Sequence, residues 1–182
     1  MLKSSQLPDV DIWMRHSTLG SAPIFSMPDG YHMRFYREGD VPNWVQIQQA
    51  SDPFYKATAR TFLGAMPGEE AYLAHRVMFL VGPDGRDIGT ITAWQNNFLT
   101  GKLVGQIHWV AIITPEQSKG LAKPMMSAVC QQLKVLGHQQ ACLSTNTKRI
   151  PALNLYLKFG FEPYFENNDQ KDAWKTIESE LK

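Results

Sequence analysis

The most informative stretch of the sequence runs from Ile112 to Ala122 and reads IITPEQSKGLA. The apolar end of a strand leads into a short loop that contains Gly120, and this loop opens a helix. Free N–H groups and the helix dipole favour a phosphate at such a point, where Gly120 and Ala122 allow close approach. The glycines and Lys-Ser/Thr pair of a P-loop are missing, as are the spaced glycines of a dinucleotide fingerprint. By itself, the segment fits an ordinary strand-to-helix turn equally well.

The flanking sequence alternates strand and helix signals. Hydrophobic periodicity and turn residues predict strands over residues 31–37, 77–81, 88–94, 106–113, 141–145 and 160–164, and helices over 41–50, 119–136 and 151–159. Residues 51–70 are predicted to form a broken helix or a loop, and residues 171–181 favour a terminal helix over a strand. The strand–helix–strand order implies right-handed crossovers and at least one parallel pair. The predicted fold class is therefore α/β or α+β, a mixed sheet with helices on both faces.

Composition limits the functions that the chain can have. The 182 residues carry 18 Lys plus Arg and 17 Asp plus Glu, a formal net charge of +1, which disfavours nucleic acid as a partner. Cys130 and Cys142 lie in apolar stretches without metal-ligand spacing, so both are predicted to be buried thiols and no metal is expected. No apolar run reaches the length of a signal peptide or membrane span, so we expect a cytoplasmic protein without membrane contact.

Domain organisation is expected to be simple. Residues 1–30 are predicted to be an ordered arm whose apolar side chains dock on the surface, and residues 31–182 a single domain. We expect a monomer or a homodimer.

A second segment, from Thr145 to Pro163, helps to interpret the loop at residues 112–122. This second segment has a strand end, a polar turn and a short helix that ends in Phe159-Gly160-Phe161. Together the two segments resemble the GCN5-related N-acetyltransferase (GNAT) superfamily. Its acetyl-CoA signature, Gln/Arg-x-x-Gly-x-Gly/Ala, is matched by residues 117–122, and its later helix motif by Asn154, Tyr156, Gly160 and Phe161. The resemblance covers roughly residues 31–165.

The resemblance implies a cosubstrate, acetyl-CoA, lying where two central parallel strands splay apart in a mostly antiparallel sheet. Here those strands are residues 106–113 and 141–145. Main-chain N–H groups of residues 119–123 would hold the pyrophosphate, while the strand end would pair with the pantetheine arm and stabilise the thioester oxygen. The implied cofactor-binding residues are Ala111, Ile112, Ile113, Gln117, Ser118, Lys119, Gly120, Leu121, Ala122, Lys123, Asn146 and Asn154.

Two side chains are candidates for proton transfer. The resemblance makes Tyr156 the donor to the leaving thiolate, since a phenol is protonated at neutral pH; the alternative is a core tyrosine on an amphipathic helix. The strand before the phosphate loop has no Asp or Glu, although the family often places a carboxylate base there. His108 is the replacement, because imidazole titrates near neutral pH, yet a lone histidine on an apolar strand is commonly a core residue.

The acceptor is expected to be a primary amine of a small molecule, which attacks acetyl-CoA directly in a ternary complex. Candidate substrate-binding residues are Thr92, Trp94, Asp52 and Phe54, although an aromatic residue in a strand commonly belongs to the core. The alternative is a catalytically weak acyl-CoA-binding module that acts as a sensor or interaction domain. Transfer to a hydroxyl, or of a longer acyl group, also stays open.

Overall fold

The computed structural model describes residues 7–52, 55–97 and 101–182. Seven strands form one sheet in the order β2-β3-β4-β5-β6-β1-β7. The strands are β1 (Asp11–His16), β2 (His32–Phe35), β3 (Val77–Val81), β4 (Asp87–Asn96), β5 (Val104–Ile112), β6 (Ala141–Asn146) and β7 (Glu162–Tyr164). All described pairings are antiparallel except that of β5 with β6. The predicted mixed sheet is confirmed.

Within the described residues, six α-helices connect and cover these strands. They are α1 (Val41–Ser51), α2 (Ala59–Ala65), α3 (Glu70–Leu73), α4 (Ala122–Val135), α5 (Ile150–Lys158) and α6 (Asn168–Ile177). Pro42 occupies the first turn of α1, where its missing N–H costs nothing. The Asn167 side chain caps α6 by accepting from Gln170 N, so the terminal segment is a helix. The short α2 and α3 confirm the broken helix predicted for residues 51–70. None of the helices in the described ranges is long and apolar enough to cross a membrane.

Strand β3 shows how the sheet builds two cores. Val77 and Phe79 belong to one cluster of buried apolar side chains, with Trp44 of α1 and Phe62 of α2. Met78 and Leu80 belong to the other, which includes buried residues of α4, α5 and α6. Because successive side chains of a strand point to opposite faces, the two clusters lie on opposite faces of the sheet. Helices therefore cover both faces, as predicted.

The parallel strands β5 and β6 separate almost at once. Their register pairs only Gly105 with Ala141 and Gln106 with Cys142. Beyond these pairs, the side of β5 that faced β6 is no longer occupied by a neighbouring strand. A single bulge, where Trp109 has a φ of 51°, shifts the register of β5 against β4. The splayed pair therefore opens toward the phosphate loop that follows β5.

Residues 7–30 differ from the expected surface arm. Strand β1 lies inside the sheet, antiparallel to β6 on one side and to β7 on the other, and Ile12 and Met14 are fully buried. Thr147 fixes its start, since its hydroxyl accepts from Val10 N at 3.0 Å and donates to Pro8 O at 2.5 Å. Periodicity missed β1 because its partner strands lie more than 120 residues away in the sequence. Residues 11–16 of the predicted arm are therefore a strand of the sheet.

Candidate functional site

A groove of about 990 Å³ opens where β5 and β6 diverge. One wall comes from the end of β5, at Val110, Ala111 and Ile112, and from the loop that leads into α4. The opposite wall comes from α5, including Asn154 and Tyr156. The two sequence motifs, which are some 35 residues apart in the chain, thus face each other across one groove.

The phosphate loop contains two residues with positive φ, of which Ser118 is the strained one. Ser118 has a φ of +63° and Gly120 a φ of +79°, and a Cβ added to Gly120 would meet nothing within 4 Å. Gly120 is one of the residues that line the groove. Because the first N–H groups of α4 have no acceptor within the helix, the loop presents donors to an anion.

Gln117 secures this loop with its side chain. Its Nε2 donates to Ile112 O at 2.8 Å and to Ser51 O at 3.3 Å. Thr114 Oγ1 adds a bond to Ala50 O at 2.8 Å, so the loop is tied to the end of α1. The signature glutamine thus braces the loop through its amide group.

Cationic side chains surround the groove. Lys123, Lys158, Arg149 and Lys182 line it, against one lining carboxylate, Glu116, which pairs with Lys119 Nζ at 2.9 Å. The ring of Phe25 lies between two of them, with its centroid 5.6 Å from Lys123 Nζ and 5.9 Å from Lys158 Nζ. The groove therefore suits a ligand with several phosphate charges.

A second cavity, of about 480 Å³, lies beside the groove, deeper in the splay. Its wall includes His108 and Trp109 of β5, Ser144 and Thr145 of β6, Gln48 of α1, and the acidic residues Asp11 and Asp52. The Trp109 ring packs against Tyr55, with centroids 5.5 Å apart. The cavity has the mixed aromatic and polar wall of a small-molecule site.

The two cavities meet at three residues, Val110, Arg149 and Tyr156, which line both. Tyr156 is 7% exposed, and burial raises its pKa to about 12. The positive charge of Arg149 lowers this pKa and so partly opposes the effect of burial. The phenol therefore keeps its proton at neutral pH. Arg149 itself reaches Asp52 Oδ2 at 3.4 Å.

His108 is a neutral imidazole in this setting. Burial lowers its pKa to about 4, and its Nδ1 lies 3.5 Å from Gln106 Nε2. It lines the second cavity, where an acceptor would sit. A histidine with so low a pKa is a weak base and holds a proton only briefly. That His108 relays a proton stays a prediction.

The structure brings most of the candidate cofactor-binding residues to the groove. Ala111, Ile112, Gln117, Ser118, Gly120, Leu121, Ala122, Lys123 and Asn154 line it. Asn154 Oδ1 also accepts from Lys182 N at 2.7 Å. Ile113 lines a separate cavity with Ile47 and Ile88. The amide of Asn146 donates to Asp9 and Asp11, and thereby holds the start of β1.

Of the residues predicted to bind the acceptor, some line a cavity and others do not. Asp52 lines the second cavity. Thr92 is fully buried with its hydroxyl 3.5 Å from Met66 Sδ, and Trp94 packs against Tyr72, so neither is among the residues lining either cavity. Phe54 lies outside the described residues. An inward-facing strand residue and a site residue look alike in sequence, which explains the difference.

Sequence reasoning missed several lining residues. Arg149 stands in the polar turn before α5, Asp11 lies in the supposed arm, and Gln48 lies on a helix predicted from its apolar residues. None of the three has a local signal, because each reaches the cavity through the packing of a whole element. Arg149 was the most accessible to prediction, as it directly precedes the helix that carries Tyr156.

Comparison with known proteins agrees with this geometry. Residues 41–161 match the acetyltransferase (GNAT) family. The chain is 25% identical over 161 residues to a mycothiol acetyltransferase of Pseudarthrobacter chlorophenolicus, a match that covers 85% of this chain and 50% of the relative. A mycothiol acetyltransferase of an Arthrobacter species is also 25% identical, over 87% of this chain and 51% of its own length. The chain thus spans about half the length of these curated relatives.

Solved structures share the fold at low identity. A GCN5-related N-acetyltransferase from Sphaerobacter thermophilus superposes with a TM-score of 0.70 at 22% identity, over 86% of this chain and 49% of that one. The ribosomal-protein-S18-alanine N-acetyltransferase of Escherichia coli does so with a TM-score of 0.58 at 17% identity, over 72% and 77%. With two thirds of its sequence matched and both motifs on one groove, the chain belongs to the acetyltransferase (GNAT) family.

Proposed function

We propose that this protein transfers the acetyl group of acetyl-CoA to a primary amine of a small molecule, by direct attack in a ternary complex. The observation that carries the proposal is the meeting of two cavities at Val110, Arg149 and Tyr156. One cavity has the cations and free backbone donors for a phosphate-rich cosubstrate, and the other has room for an acceptor. The junction is the place where the two would react.

Acetyl-CoA fits the groove by its chemistry. The loop N–H groups and the α4 dipole suit its pyrophosphate, and Lys123 and Lys158 supply charge for its other phosphate. The side of β5 left vacant by β6 offers main-chain groups to the amide groups of the pantetheine arm. The arm would thus lead the thioester along β5 to the junction.

The bulge in β5 supports oxyanion stabilisation. Trp109 is held in the left-handed region, which costs about 1 kcal/mol or more, and its carbonyl accepts from Thr90 Oγ1 at 3.1 Å. The bulge turns the main chain next to Val110, at the junction. We assign a main-chain N–H there to the thioester oxygen, whose negative charge grows as the amine attacks.

Tyr156 is assigned as the proton donor. The amine nitrogen forms a bond to the thioester carbon, the carbon–sulfur bond breaks, and the thiolate takes the phenol proton. A pKa of about 12 makes the phenol a weak acid, but a thiolate that leaves into the same enclosed region is also poorly solvated and therefore more basic. Arg149 at the junction opposes the rise in the pKa of Tyr156. The amine loses its proton to water, with His108 as the candidate relay.

Thiol release tests the proposal against a binding module without activity. Wild-type protein is incubated with acetyl-CoA and a panel of primary amines, and free CoA is followed with a thiol reagent while acetyl-CoA affinity is measured by calorimetry. Turnover that depends on the amine and yields an acetylated product supports transfer. Tight acetyl-CoA binding without turnover on any amine would instead identify the sensor module.

A further inference from the structure

The second cavity contains a hydrogen-bond acceptor that the fold has fixed in place. Gln48 is 5% exposed, yet it is part of the cavity wall. Its Nε2 donates to Thr90 Oγ1 at 2.8 Å, and Thr90 Oγ1 donates to Trp109 O at 3.1 Å. Because a hydroxyl has one proton, and Thr90 gives it to a carbonyl, Thr90 Oγ1 must accept from the amide of Gln48.

This chain of bonds determines which end of the amide faces the cavity. The nitrogen is committed to Thr90, so the carbonyl oxygen Oε1 is the end that remains for a ligand. Among the described residues, Oε1 has no hydrogen-bond partner, nor is it one of the fully enclosed unpaired atoms. A buried carbonyl oxygen on a cavity wall accepts from an N–H or an O–H and repels a carboxylate.

The rest of the wall has the same preference. Asp11 and Asp52 line the cavity, and the cation among its lining residues, Arg149, also lines the cosubstrate groove and pairs with Asp52 Oδ2 at 3.4 Å. His108 adds no positive charge at neutral pH, since burial lowers its pKa to about 4. The Tyr55 and Trp109 rings offer aromatic surface, which also attracts cations.

We propose that this cavity selects a small amine that carries a second, protonated nitrogen, an inference that rests on the proposed function. In it, Gln48 Oε1 accepts a hydrogen bond from the reacting amine. The reacting nitrogen must be neutral when it attacks, and an uncharged amide oxygen orients it without stabilising its protonated form as a carboxylate would. The two aspartates hold the second nitrogen, which stays charged. Thr90 is the positioning residue for Gln48.

Acceptor kinetics test the charge preference. The probes are three four-carbon acceptors, namely putrescine, the matched amino alcohol and the matched amino carboxylate. Wild-type protein should show kcat/KM at least tenfold higher for putrescine than for the alcohol, and lowest for the carboxylate. In Asp52→Asn the preference should fall below threefold, while Asp169→Asn, a change on the exposed start of α6, should preserve it. Equal use of the three acceptors by wild-type protein would overturn the proposal.

Variants of Gln48 and Thr90 test the fixed amide. Gln48→Met keeps the length and removes both polar atoms, so the KM for putrescine should rise at least tenfold while the KM for acetyl-CoA stays within twofold. Thr90→Val should raise the putrescine KM in the same way, and Thr90→Ser, which keeps the hydroxyl, should restore it. Thermal melting confirms folding, and if Gln48→Met does not fold, the Thr90 pair decides. An unchanged putrescine KM in Thr90→Val would refute the role of the amide.

Binding separates this inference from the proposed function. Putrescine binding to the protein saturated with CoA is measured by calorimetry, which needs no turnover. If no amine is acetylated but wild-type protein binds putrescine and Thr90→Val does not, the cavity assignment stands and the transferase proposal fails. If amines are acetylated and neither Gln48 nor Thr90 affects the acceptor, the transferase proposal stands and this inference fails.

Discussion

Tyr156 serves the core and the junction of the two cavities with different parts of one side chain. Its ring packs edge-on toward Phe161, with centroids 6.4 Å apart, within the larger apolar cluster. The residue nevertheless lines both the groove and the second cavity. The two sequence interpretations, core tyrosine and proton donor, are therefore compatible, and only removal of the hydroxyl separates them.

Replacing Tyr156 by phenylalanine keeps the ring packing and removes the proton. If the phenol protonates the leaving thiolate, turnover should fall roughly 10²-fold, while acetyl-CoA affinity stays within about twofold. Single-turnover kinetics with saturating acetyl-CoA, together with calorimetry, give both quantities. Full turnover in a variant for which chemistry limits the rate would make the hydroxyl structural.

His108 links the cavity to pH-dependent stability. In the folded protein its pKa is lowered from 6.5 to about 4 by burial, so the unfolded chain takes up a proton first as the pH falls. Above pH 6.5, where His108 is neutral in both states, it does not change the free energy of unfolding. As the pH falls from 6.5 toward 4, protonation of His108 in the unfolded chain lowers the free energy of unfolding. His16 and His138 also have lowered pKa values through burial, and they add to the same trend.

We expect His108→Gln to reduce the loss of stability between pH 7 and pH 5 by about 2 kcal/mol. Urea unfolding of wild-type and variant protein at both pH values provides the four free energies. The comparison isolates His108 because His16 and His138 titrate in both proteins. Parallel losses in the two proteins would show that His108 titrates normally in the folded state.

Among the secondary-structure elements and their connections, the loop between β5 and α4 has a residue with strained backbone, Ser118, and a glycine with open surroundings, Gly120. Positive φ at Ser118 and Gly120 is held by the Gln117 and Thr114 side-chain bonds to neighbouring backbone. Gly85, in the turn between β3 and β4, has nearly the same φ, +78°, and equally open surroundings. It does not line the cosubstrate groove, so Gly85 is a matched control.

Gly120→Gln and Gly85→Gln should lose similar folding stability, about 1–2 kcal/mol each, because both force a side chain into the left-handed region. Only Gly120→Gln should weaken acetyl-CoA binding, by at least tenfold or ~1.4 kcal/mol, since Gly120 lines the groove and Gly85 does not. Calorimetry and thermal unfolding measure the two effects. Equal acetyl-CoA affinity in both folded variants would remove the phosphate site from this loop.

At the scale of the whole molecule, β1 joins the two ends of the fold. It fills the space between β6 and β7, and Gln170 of α6 donates to Asp11 O at 3.0 Å. The N-terminal segment then crosses α4, where Phe25 N donates to Ser127 Oγ at 2.9 Å and brings the Phe25 ring between Lys123 and Lys158. The groove thus depends on a segment remote from both motifs.

Thr147→Val tests how strongly β1 is anchored. The substitution keeps the shape of a fully buried side chain and removes its bonds to Val10 N and Pro8 O, leaving two half-buried backbone groups unpaired. We expect a loss of about 1–3 kcal/mol in unfolding free energy, measured in urea. Thr176→Val, which removes an exposed bond to Asp172 O, should cost less than about 1 kcal/mol. Similar losses would indicate that β1 contributes little to stability.

Most of the strands and helices other than β1 were predictable from the sequence, and so was a groove between the two motif segments. Periodicity and turn residues predicted the strands and helices around residues 112–122 and 145–163, while the resemblance of these two segments to the GNAT superfamily implied the phosphate loop and the position of Tyr156. The terminal helix followed from the spacing of Trp174 and Ile177. Such features depend on neighbours within a few residues, and these neighbours are visible in the sequence.

Only the tertiary structure decided the place of β1 and the wall of the second cavity. Strand β1 pairs across more than 120 residues, and Gln48, Asp11 and Arg149 meet there from three separate elements. Thr92 and Trp94 have the strand pattern expected of site residues, but Thr92 is fully buried and the half-buried Trp94 packs against Tyr72, and neither lines either cavity. The physical reason is that strand alternation determines which residues share a face, whereas long-range pairing and helix packing determine what each face meets.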